Sequence, residues 1–208
     1  MTDSSWNEDE GGFRSGDKYD RILEATIEVV AGKGFQHARI SDIASQAGVA
    51  DGTVYLYFKN KNHILRAALN HAFQRFTERV SEALPSTNSP VKQLGIIAQA
   101  HLETLYQNRP LAVIMQMQVR QSAKFLEQFS HQSFVDYINL VREIIRRGQQ
   151  QGLIRTNLSD RLVALCLFGA LDEVVSSWLY TGRGFDPVQT AAQVLDILLT
   201  GICVTPQP

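Results

Sequence analysis

Apolar residues recur every three to four positions along most of the chain, and no stretch alternates with the period of two that a strand needs. From Asp17 the positions Ile22, Leu23, Ile27 and Val30 mark a first helix, with Gly32 and Gly34 to stop it. After Lys61 the residues Ile64, Leu65, Ala68, Leu69, Phe73 and Phe76 sustain a helix of more than twenty residues as far as Pro85. Pro85 to Pro90, with Ser86, Thr87, Asn88 and Ser89 between, reads as a loop. Three further stripes follow. One carries Leu94, Ile97, His101, Leu102 and Leu105. The next, opened by Pro110 after Asn108, carries Leu111, Ile114, Met115, Gln118 and Val119. The third runs through Phe134, Ile138, Val141, Ile144 and Ile145 and stops near Gly148 and Gly152. The pattern predicts an all-α chain.

The last two helices differ from the rest. Leu162 to Tyr180 begins almost without polar residues, and Val188 to Val204 leaves a narrow polar stripe at Gln189, Gln193, Asp196 and Thr200. A helix that is apolar around most of its circumference needs cover from more than one side. Either both helices are central in one large core, or the same pair from a second subunit covers them about a twofold axis.

Between these helical runs lies Arg39 to Lys61, whose spacings point to a helix-turn-helix. Ser41 is placed as an N-cap for a short helix with Ile43, Ala44 and Ala47 on one side, and Gly48 ends it by taking a positive φ. Val49 plugs the corner. A second helix begins near Gly52, with Val54 and Phe58 inward and Thr53, Tyr55 and Tyr57 outward. Those hydroxyls suit phosphate oxygens and base edges in a major groove. Lys59 and Lys61 follow, and Asn60 is placed to cap the next helix, so that Lys61 in its first turn would offer a phosphate site. A turn between two structural helices with tyrosines on a solvated face is the alternative reading of the same residues.

The segment Gly48 to Lys61, with its Thr-Val-Tyr-Leu-Tyr-Phe-Lys-Asn-Lys run, resembles the DNA-binding headpiece of the tetracycline-repressor (TetR) family of bacterial transcription regulators. The resemblance implies a three-helix headpiece over residues 17–62 and a larger helical ligand-binding and dimerisation domain over 63–205, about nine helices in all. It places Ser41 near bases, Gly52, Thr53, Tyr55 and Tyr57 on the recognition helix, and Lys61 on a phosphate. It also implies a homodimer through the last two helices, reading a palindromic double-stranded operator with recognition helices roughly 34 Å apart. Asp51 departs from the neutral or basic side chain of many relatives and reads as a cap for the recognition helix.

Composition changes this picture little. At 44% hydrophobic and 20% charged the chain suits a soluble globular protein, and a formal net charge of −1 means that any attraction to DNA is local. Residues 11–66 hold eight Lys and Arg against six Asp and Glu. Residues 1–16 are polar and acidic and read as a mobile tail. Cys166 and Cys203 sit among apolar neighbours and read as buried thiols in a reducing compartment. The pattern shows neither a signal peptide nor an apolar run of membrane-spanning length, and the expected location is the cytoplasm with no membrane partner.

For an effector, Leu105, Met115, Val119, Phe134 and Trp178 suit either an apolar tunnel or ordinary core. Arg120 and Lys124 stand one helical turn apart beside Gln121, which suits a ligand with an anionic head and an apolar tail; a solvated face or a pair with Glu127 is the alternative. The run Met115 to Ser122, followed by Phe168 to Trp178, and Ala50-Asp51-Gly52 before the recognition helix are similar to the FadR branch of TetR regulators. That resemblance implies a repressor of fatty-acid degradation genes that leaves its operator when long-chain acyl-CoA binds, with no cofactor. On it, the acyl chain would lie between body helices and Arg120 would hold CoA phosphates. A TetR-type regulator of a drug, bile acid or other lipophile is the nearest rival. An all-helical enzyme is the rival of another class, against which stands the lack of a Glu-x-x-His pair, a phosphate loop or a nucleophile elbow.

Overall fold

Helices α1 (Asp17–Lys33), α2 (Ile40–Ala47) and α3 (Asp51–Tyr57) share one small core, and α4 (Lys61–Ala83) leaves it as a rod about 35 Å long. The computed structural model describes residues 17–118 and 131–202. Ile22, Val30, Ile43, Ala44, Val54, Ile64 and Leu65 are wholly buried in or beside this headpiece. Gly48 takes φ 66°, and its corner folds back with Gly48 N–H on the carbonyl of Ser45 and Val49 N–H on that of Ala44. Asn60 caps α4, its side chain accepting from His63 N–H at 2.9 Å. Gly34, at φ 76°, ends α1, whereas Gly32 lies inside that helix.

Two expected caps are corrected. Helix α2 starts two residues early, with Arg39 as its N-cap, so Ser41 falls inside its first turn. Asp42 does the closing instead, accepting from Arg39 N–H at 3.0 Å and pairing with Lys33 at 2.8 Å. The Lys33 bond, then the Arg39 N–H, hold the Asp42 carboxyl below its ordinary range. Likewise Ala50 is the N-cap of α3, and Asp51 is its first helical residue, where its charge faces the positive end of the helix without capping it.

In the body, α5 (Pro90–Gln107) is the central rod and packs against α4 and four later helices. These are α6 (Arg109–Val113), which continues as a π-helical turn over Ile114–Gln118, α7 (His131–Gln150), α8 (Asp160–Thr181) and α9 (Pro187–Ile202). No strand occurs among the described residues. At the foot of α7, wholly buried Ile154 occupies the space that a Cβ on Gly148 would need, which explains glycine there. Asp160 ties α8 to α7 by accepting from Arg142 at 2.9 Å and Arg146 at 2.8 Å. Desolvation acts against ionising Asp160, but the Arg142 bond, the Arg161 N–H and both guanidinium charges outweigh it and depress the pKa.

By length and mean hydropathy (1.7) α8 would pass for a membrane span. One face is instead built into the body through Ala164, Leu167, Leu171, Asp172 and Val175. The opposite face exposes Leu162, Leu165, Cys166 and Gly169 at three-to-four spacing. Cys166 is therefore an exposed free thiol and not a buried one; sequence neighbours that are apolar do not cover a residue that points the other way on a helix. Cys203 and residues 1–16 lie outside the described residues.

Candidate functional site

Helix α3 is held by Val54 and Phe58, both buried, so that the rest of its surface faces out. Gly52 and Tyr55 are exposed and Thr53 is half-buried. Tyr57 is steadied edge-on against Tyr19 of α1 at 5.8 Å, while Tyr19 stacks on Phe58 at 5.3 Å. Leu56, absent from the sequence-based set, is 83% exposed and the most exposed large apolar residue of the headpiece. Its signal was present, an apolar residue out of phase with Val54 and Phe58, and nothing inside the fold accounts for it.

Just past α3, exposed Lys59 donates its N–H to His63 Nδ1 at 3.3 Å. Burial, then the nearby charges of Arg66 and Lys59, lower the His63 pKa and keep that nitrogen an acceptor. Lys61 turns inward. Its ammonium donates to the carbonyls of Phe35 at 2.6 Å, Gln36 at 3.2 Å and Ala38 at 2.9 Å, and lies 4.6 Å from the centroid of the Phe35 ring. An ammonium has three donors, and in the unbound chain all three of Lys61, expected on a phosphate, clamp the α1–α2 corner. Ser41 is exposed on α2.

Of the residues expected around an effector, Val119, Arg120, Gln121 and Lys124 lie outside the described residues. Leu105 is buried and Met115 half-buried. Phe134 and Trp178 belong to different aromatic groups. Trp178 packs with Tyr106 and Phe185, at 4.9 and 6.0 Å, near the end of α8. Phe134 meets Phe168 at 5.1 Å in a second group that includes Tyr137, His101 and Phe76. Burial pushes the His101 pKa down to about 4 and the Tyr137 phenol well up. Neither His101 Nε2 nor Tyr137 Oη finds a hydrogen-bond partner among the described residues.

A cleft of about 650 Å³ separates headpiece from body. Leu23, Glu24, Ile27 and Glu28 of α1 form one wall, and His71, Arg75, Phe76 and Arg79 of α4 with Gln107 and Leu111 form the other. Arg79 is paired with Glu103 and Glu28 with Gln46. Above the cleft the π-helical turn is locked to α8: Gln116 donates to Asp172, and Ser176 Oγ donates to Gln116 Oε1 at 3.0 Å. All three side chains are buried, and each carboxamide end has a use.

Residues 22–68 match the family model described as "Bacterial regulatory proteins, tetR family", and residues 69–201 match "YsiA-like protein, C-terminal region". The "Fatty acid metabolism regulator protein" of Bacillus subtilis is 36% identical over 185 residues, covering 89% of this chain and 95% of that protein. Among solved structures, the FadR transcriptional regulator of Bacillus subtilis in complex with stearoyl-CoA superposes with a TM-score of 0.82 at 34% identity, covering 88% of this chain and 99% of that one. The fatty acid degradation regulator FadR of Bacillus halodurans gives 0.82 at 32% identity, covering 88% and 98%.

Proposed function

The chain belongs to the TetR family of bacterial regulatory proteins, and from that premise we propose that it represses fatty-acid degradation genes and leaves its operator when long-chain acyl-CoA binds. The observation that carries the DNA half is the outward face of α3. Gly52, Thr53, Tyr55 and Leu56 present hydroxyl and apolar groups, with Lys59 beside them as the nearest cation without an internal bond from its side chain. Small and hydroxylated residues let the helix approach base edges, Leu56 suits a thymine methyl, and Lys59 suits a phosphate. Ser41, exposed on α2, lies on the helix that crosses the backbone in such a geometry.

A regulator of this type works as a homodimer. The supporting feature is the exposed apolar stripe of α8 together with Val188 and Ile197 of α9. Two copies meeting there form a four-helix contact and set the two recognition helices one helical turn apart on a palindrome. DNA places the protein in the cytoplasm.

Release follows from linkage. Acyl-CoA must favour the arrangement with unsuitable headpiece spacing, and DNA must then weaken acyl-CoA by the same factor. The support is that α1, a headpiece helix, walls the cleft whose other side is α4 to α6. Helix α1 packs on both α4 and α6, so a shift of either in the body is passed to the headpiece, and α4 carries the tilt outward. Binding of the purified protein to duplex from its own promoter should weaken steeply with salt. An affinity independent of salt, or equal for unrelated duplex, contradicts the reading.

A further inference from the structure

Helix α5 brings His101, and α7 brings Tyr137, into the middle of the body, where both are more than nine-tenths buried. Their rings meet edge-on at 5.8 Å, and Phe76 and Phe168 close around them at 5.6 to 5.8 Å. In this apolar setting the two unpartnered atoms, His101 Nε2 and Tyr137 Oη, are a standing cost to the fold. Phenylalanine and leucine would fill the same space without it. Two such groups in contact, in a protein that takes up a ligand, indicate a polar atom that the ligand itself supplies.

The chemistry of the pair limits that atom. Burial keeps the imidazole neutral and the phenol protonated, so both are uncharged donors near neutral pH. The rings around them are aromatic, and desolvation alone shifts both groups, with no charged neighbour among the described residues contributing. A carboxylate or phosphate would lose its hydration there without a counter-charge, whereas a neutral carbonyl oxygen loses little and gains two donors. Phe76 lines the cleft and its ring stands 5.7 Å from that of Tyr137, so a single side chain separates the cleft from the pair.

We infer that His101 and Tyr137 bind the thioester carbonyl of the acyl-CoA effector, Tyr137 Oη–H and the Nε2–H tautomer of His101 each donating to its oxygen. The assignment rests on the acyl-CoA reading above. It makes the pair the element that tells a thioester from an alkyl chain of equal length, because the aromatic wall alone does not distinguish them.

The test compares stearoyl-CoA with its S-octadecyl thioether, in which CH₂ replaces the carbonyl, by calorimetric titration of the full chain. The parent should bind the thioester about tenfold more tightly, as loss of a buried polar contact implies. Tyr137→Phe should cut that preference to about threefold, His101 remaining as the second donor, while leaving the unliganded protein's melting temperature unchanged or raised, which a structural role for the hydroxyl would not do. Equal binding of both probes by the parent, or an undiminished preference in Tyr137→Phe, overturns the inference and leaves the acyl-CoA reading intact. The parent's own comparison needs no variant. Binding of neither probe overturns both.

Discussion

Lys61 holds Phe35 in two ways at once: its ammonium donates to the Phe35 carbonyl at 2.6 Å and rests 4.6 Å from the centroid of the same residue's ring. With the carbonyls of Gln36 and Ala38 also engaged, the start of α4 is fastened to the corner between α1 and α2. Lys61→Met should therefore destabilise the protein by about 2 kcal/mol or more, since three carbonyls lose a charged donor. Lys61→Arg should not restore it, because a planar guanidinium cannot point at three converging oxygens. Denaturant unfolding measures the loss. Where the variant is still folded, the salt dependence of operator binding should keep its slope; a slope reduced by about one would return Lys61 to the phosphate backbone.

Leu56→Ala should leave stability nearly unchanged, because the side chain is 83% exposed. Operator affinity should fall about tenfold, with most of the loss at one A·T pair, as expected for a thymine-methyl contact. Anisotropy titrations against single-base operator variants, run beside thermal melts, separate the two effects.

The headpiece was legible in the sequence and the fastening was not. Val54 and Phe58 four apart, Gly48 at the corner and Asn60 before α4 fix local geometry, and each stands where its spacing placed it. The role of Lys61 depends on three carbonyls more than twenty residues upstream that a turn happens to aim at one point. Asp42 took the capping work from Ser41 because a carboxylate three residues into a helix reaches back to the free N–H as readily as a hydroxyl at its start. Long-range pairing hid the body in the same manner: Asp172 reads as a break in an apolar run until Gln116, fifty-six positions earlier, is seen against it. Cys166 misled because hydrophobic sequence context says nothing about which side of α8 packs inside its own subunit.

Stability should depend on pH through His101. Its pKa is about 4 in the folded chain and near 6.5 when unfolded, so the unfolded state binds the extra proton between those values. The contribution is complete above about pH 6.5 and is lost as the pH falls toward 4, amounting to about 3 kcal/mol across that window. His63, also depressed, acts in the same direction, whereas Asp42 and Asp160 begin to matter only below about pH 4. Melting curves from pH 7.5 to 4.5 should show the slope, and His101→Gln should flatten most of it.

A charge on the outer face of α8 or α9 should split the proposed dimer without unfolding the chain. Leu162 and Ile197 are 58% and 74% exposed in the single subunit, so Leu162→Asp or Ile197→Asp costs little folding energy. In a paired seam the same aspartate is buried without a partner. Sedimentation should show monomers with the parent's helical spectrum, and operator affinity should drop by about a hundredfold or more as the second half-site contact is lost.

The central claim is that acyl-CoA and operator oppose each other through one protein. Its direct measurement is the affinity for fluorescent operator with and without saturating stearoyl-CoA, paired with the affinity for stearoyl-CoA with and without saturating operator. Both should fall, by about tenfold or more and by the same factor, since coupling is reciprocal. A ternary complex as tight as the protein with operator alone would contradict the account.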